Sequence, residues 1–61
     1  MLTTIQFKHW AKQRAKEAPE LTSQIDSIVK NTIVDIWDGS PQNVRINVSQ
    51  RQIEDLLKSK N

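Results

Sequence analysis

Apolar residues recur at steps of three and four through most of this 61-residue chain, and at steps of two over one short stretch. The first rhythm predicts helices and the second a strand. Phe7, Trp10, Ala11, Ala15 and Ala18 make one helical face, which predicts a first helix over residues 4–17. Thr3 stands where an N-cap belongs, Gln6 completes a capping box, and Leu2 and Phe7 are placed for a hydrophobic staple. Pro19 disfavours helix at Ala18 and suits the first position of a new one. Leu21, Ile25, Ile28, Thr32 and Ile36 then form a stripe that Val29, Ile33 and Trp37 widen. The pattern predicts a second helix over residues 19–37, with Ile28, Ile33 and Trp37 heavily buried. Gly39, the sole glycine, is suited to cap its C-terminus, and Ser40-Pro41 stops it.

Over residues 43–49 the rhythm changes, as Val44, Ile46 and Val48 alternate with Arg45 and Asn47. This predicts one short strand. Ser49, with Gln52 three residues on, has the form of an N-cap, and Val48 and Ile53 the form of its staple. A third helix would start there, with Ile53, Leu56 and Leu57 as its apolar face and Lys58 and Lys60 near its negative end. The expected fold class is mainly α: a single domain over residues 1–61, with three helices and one short strand between the second and third. A lone strand leaves its backbone groups unpaired. The expectation therefore demands a strand partner: a second copy of the chain, another protein, or residues 2–5.

Composition adds weight to a partner. A domain this short buries only about 60% of the surface its unfolded chain exposes, and such domains usually rely on disulfides, a metal or another chain. The absence of cysteine excludes disulfides and thiolate ligands, and His9 alone cannot build a histidine metal site, so no cofactor or metal is expected. No apolar run approaches the roughly 18–20 residues of a membrane span. Thr3, Thr4, Gln6 and Lys8 break up the apolar core a signal peptide needs. A soluble, cytoplasmic protein is the expectation.

Charge is laid out in blocks. Lys8, Lys12, Arg14 and Lys16 give residues 1–16 a net +4, and residues 17–42 carry −4 from Glu17, Glu20, Asp26, Asp35 and Asp38 against Lys30. The remainder carries +2. Such blocks either complement one another or steer a charged partner.

Candidate chemistry is sparse. Asp35 and Asp38 lie three residues apart with nothing else converging on them, Ser49 has no activating base, and there is no glycine-rich phosphate loop. An enzyme is not expected. The favoured expectation is a small interaction or regulatory protein that dimerises or docks on a larger protein. The broad face of the second helix and the strand edge would carry the contact, through Trp10, Val29, Trp37, Val44 and Ile46. The alternative is a dimeric DNA-binding regulator, with Lys8, Lys12 and Lys16 tracking phosphates and Arg45 and Asn47 reading base edges. Each signal has a plainer reading: tryptophans in the core, a surface His9, and a solvated lysine face opposite the acidic second helix. Residues 43–57 resemble half of a ribbon-helix-helix repressor, whose strands pair across a two-fold axis in the major groove. The resemblance implies Arg45 and Asn47 as the readers. It departs from the family in the single helix that follows the ribbon, where the family has two.

Overall fold

The chain builds three helices, each started by local chemistry. The computed structural model describes residues 2–60, the Lys60 side chain excepted; the role expected of that side chain lies outside what is described. The helices are α1 (Thr4–Ala15), α2 (Thr22–Trp37) and α3 (Gln42–Lys60), and a 3-10 turn at Pro19–Leu21 leads into α2. The capping box of α1 forms as its sequence implies: Thr3 Oγ1 accepts the Gln6 N–H at 3.2 Å, and Gln6 Oε1 accepts the Thr3 N–H at 3.0 Å. Ala18, ahead of Pro19, leaves the helical region at φ −144°, and α1 closes before it.

The end of α2 is a Schellman motif. The Ser40 N–H donates to the Asp35 carbonyl at 3.0 Å and the Gly39 N–H to the Ile36 carbonyl at 3.1 Å. Gly39 takes φ +109°, a conformation that costs an L side chain dearly. The Pro41 carbonyl then accepts the Arg45 N–H at 3.0 Å, and α3 is under way.

Residues 43–49, expected as a strand, are therefore the first turns of α3, and no strand occurs among the described residues. The period of two was the weaker of two patterns in this segment. Ile46, Ser49, Ile53, Leu56 and Leu57 stand at helical steps, and this stripe runs unbroken through the supposed strand–helix boundary. Ile46 and Ile53 point inward at 2% and 0% exposure, whereas Val44 is 51% exposed and Val48 also faces out. Ser49 is no cap; it lies in mid-helix and is buried. With the strand go its unpaired edge, the need for a strand partner and the ribbon-helix-helix resemblance.

The core gathers Phe7, Ala11 and Ala15 of α1, Ile25 and Val29 of α2, and Ile46 and Ile53 of α3. Ile28 and Ile33, expected at its centre, are partly buried at its edge, and Trp37 is on the surface. The phase of α2 explains this. Ile25, Val29 and Thr32 point inward, and Trp37 lies well round the helix from that line. The helices are antiparallel in sequence. Gln42 Nε2 donates to Thr4 Oγ1 at 3.0 Å, which places the starts of α1 and α3 at the same end. By its 1.5 Å rise per residue α3 spans about 28 Å, most of the 34 Å long axis of the molecule.

One polar contact lies inside this core. The hydroxyls of Thr32 and Ser49, each only 1% exposed, are hydrogen-bonded between α2 and α3. Thr32 Oγ1 also donates to the Ile28 carbonyl at 2.7 Å. That uses its only proton, so Ser49 is the donor to Thr32. Outside the core, Arg45 Nη2 meets Asp35 Oδ2 at 2.8 Å and ties the last turn of α2 to the first of α3. Half-exposed, this pair is worth at most about 1 kcal/mol.

Two expectations follow. Ile53→Ala should cost about 2–5 kcal/mol. Val44→Glu should leave stability unchanged or slightly raised, since the helix N-terminus favours a carboxylate. Thermal unfolding checks both, and a large loss from Val44→Glu would restore the strand. For the hydroxyl pair, Thr32→Val strands a buried donor on Ser49 and should cost about 1–3 kcal/mol. Ser49→Ala leaves the Thr32–Ile28 bond in place and should cost less. The double variant should lose less than the two single losses combined, and additive losses in a double-mutant cycle would show that the hydroxyls act independently.

Candidate docking groove

Between α1 and α2 lies an open groove of about 660 Å³. Its origin is in the residue sizes. Ala11 presents only a methyl group, which does not fill the space beside Val29 and Ile33. Ala11 and Val29 form the buried floor and Ile33 the partly buried inner wall. Ile5, Lys8, His9 and Lys12 of α1 face Asp26 and Lys30 of α2 across it. Ile5 is 70% exposed. Lys8, Lys12 and Lys30 have no ion-pair partner among the described residues.

Trp37 stands one turn beyond Ile33 on α2, and it is 80% exposed. The phase of α2 accounts for this. Ile36, in the same last turn, packs against the core, whereas Trp37 lies well round the helix from Ile25, Val29 and Thr32 and faces out. Val34, three residues earlier, is also exposed.

The structure distributes the residues singled out from sequence. Val29 lies in the groove floor, and Trp37 lies beyond the groove's end. Trp10 is on the other flank of α1, partly buried against the core. Its ring stacks on Phe7 with centroids 6.2 Å apart, a packing contact of the usual aromatic kind. Ile46 is in the core and offers no surface, while Val44 is on the outer face of α3. Lys8 and Lys12 line the groove, and Lys16 follows on the next turn. Arg45 is held by Asp35, and Asn47 is exposed on α3 beside Val48 and Arg51. Arg45 and Asn47 thus share no strand face.

Ile5, Asp26 and Lys30 are site residues that the sequence reading missed. A signal for Ile5 was present. It lies off the Phe7–Ala11–Ala15 stripe and in line with Lys8 and Lys12, so an apolar side chain had to emerge among lysines.

No group of His, Cys, Asp or Glu side chains among the described residues is arranged to hold a metal ion. Among the described residues no helix is long and apolar enough to cross a membrane. No protein family, curated protein or solved structure matches this chain.

The placement of the two tryptophans is open to a direct measurement. In Trp10→Phe, the remaining Trp37 should be quenched by acrylamide nearly as freely as tryptophan in an unfolded chain. In Trp37→Phe, Trp10 should be quenched much less. Equal quenching would contradict the outward placement of Trp37.

Proposed function

We propose that this protein is a non-catalytic docking module whose contact surface is the α1–α2 groove and the exposed Trp37 beyond it. The observation that carries the reading is apolar surface in one region that the fold leaves uncovered: Ile5 and Ile33 on the groove walls, Val34 and Trp37 just beyond. Contiguous apolar patches on small soluble proteins mark contact sites, and tryptophan is prominent among residues that dominate binding energy. The groove volume falls within the range of about 300–1,000 Å³ typical of ligand sites. A regulatory role, dimerisation and a cytoplasmic location remain compatible with such a module, and none is needed for the contact.

Nucleic-acid binding is the second reading. The exposed lysines at positions 8, 12 and 16 favour it. The apolar groove beside them disfavours it, because a phosphate backbone gains nothing from Ile5 and Ile33. Arg45 is also already engaged with a carboxylate.

Site-specific photocrosslinking in the producing cell tests the docking surface. A photoreactive phenylalanine analogue at Ile5 or Trp37 should yield discrete protein adducts, and the same analogue at Gln13 or Asn47 should not. Equal labelling at all four positions would remove the groove from consideration. Adducts to nucleic acid, from the groove positions, would favour the second reading.

A further inference from the structure

Resting on that reading, we infer that the partner's contact element is an acidic amphipathic α-helix, seated in the α1–α2 groove. Three features of the groove select it. The first is length. The α1 wall runs from Ile5 to Lys12 and the α2 wall from Asp26 to Ile33. Each covers eight residues of helix, seven steps of 1.5 Å or about 10 Å. A docked helix places its apolar anchors at i, i+3 or i+4, and i+7, which is the same span. An extended strand would instead need an exposed sheet edge, and among the described residues there is none.

The second feature is the division of chemistry across the groove. Ile5 and the partly exposed Ile33 offer apolar surface above a floor of Ala11 and Val29 that is itself buried, whereas Lys8, Lys12 and Lys30 stand on the rim. This matches a helix with an apolar stripe bordered by carboxylates. The third feature is charge. Three lysines without an ion-pair partner among the described residues face a single aspartate, Asp26. Carboxylates on the incoming helix would answer the lysines. A basic helix would meet like charge on both walls. Lysine also suits an open rim, since its stem covers apolar surface while its ammonium stays in water. Trp37, one turn past the groove, is placed to cover the end of a helix longer than two turns.

The test uses the full chain and three fluorescein-labelled peptides of equal length, followed by anisotropy. One carries Leu at i, i+4 and i+7 with Glu at the flanking positions. The second has Lys in place of each Glu. The third is a scramble of the first. The acidic peptide should bind at least about tenfold more tightly than the other two at low salt, since several partly exposed ion pairs add up to roughly that factor. The preference should shrink at physiological ionic strength, where exposed charges are screened beyond about 8 Å. The combined variant Lys8→Glu/Lys12→Glu should reverse the preference toward the basic peptide. Ile5→Asp should weaken binding of both. All three positions are exposed, so the variants should stay folded, which circular dichroism checks.

Equal affinity for acidic and basic peptides, or no binding of either up to about 1 mM, would overturn the acidic-helix assignment. If crosslinking from Ile5 and Trp37 persisted, the docking reading would survive that result; without adducts, both would fall. Mass doubling with concentration that Ile5→Asp abolishes would assign the groove to a second copy instead. Tight binding of a random DNA duplex, unaffected by Ile5→Asp, would assign the lysines to phosphate and likewise overturn the proposal.

Discussion

The hydrogen bond between Thr32 and Ser49 sets the rotation of α3 against α2, and most of the fold follows from that rotation. A buried hydroxyl must be paired, because leaving it without a partner costs about 1–3 kcal/mol. Ser49 therefore has to face Thr32. With Ser49 inward, Ile46 and Ile53 turn toward Phe7 and Ile25 as well, because they lie three residues before and four after it. Val44 and Val48 then have to face out, and Arg45 comes round toward α2, where it meets Asp35. Apolar contacts alone would tolerate a range of rotations, since they are not directional. The hydroxyl pair narrows that range at the centre of a core that is otherwise entirely apolar.

Legibility from sequence followed the strength of local chemistry. The capping box at Thr3 and Gln6, the break at Pro19 and the glycine cap at Gly39 each depend on a few adjacent residues, and all three stand where they were expected. The expected strand failed for a different reason. Val44 to Val48 satisfies two periods at once, and five residues are too few to separate them. What decides is the continuation: Ile46, Ser49 and Ile53 extend one helical stripe only if Ser49 is accepted as a core residue. Read as an N-cap, Ser49 divided a single helix in two. Its partner Thr32 is 17 residues away, and nothing local announces that pairing.

The burial of Trp37 was misjudged through a tertiary fact. Hydropathy assigns tryptophan to the inside, but the phase of α2 is set by Ile25, Val29 and Thr32, and it keeps Ile36 against the core while turning Trp37 out. The groove likewise depends on how two helices meet. Ala11 of α1 is too small to fill the space beside Val29 and Ile33. Neither feature can be read from one segment alone.

The charge blocks also acquire a meaning that their sums hide. A basic first helix and an acidic second one could have neutralised each other across their interface. The structure shows little of this: Arg14 pairs locally with Glu17, and Asp35 takes its cation from α3. The groove lysines are left without such partners among the described residues, although Asp26 lies on the opposite wall. Their contribution to folding stability is therefore small, and surface ion pairs would have added little in any case. Their effect is on the groove. They keep an apolar surface hydrated while it is empty, oppose stacking of two such grooves by like-charge repulsion, and favour an approaching carboxylate over an ammonium. Positive charge around an apolar groove contributes little to holding the fold, and an acidic amphipathic helix would satisfy both halves of that surface.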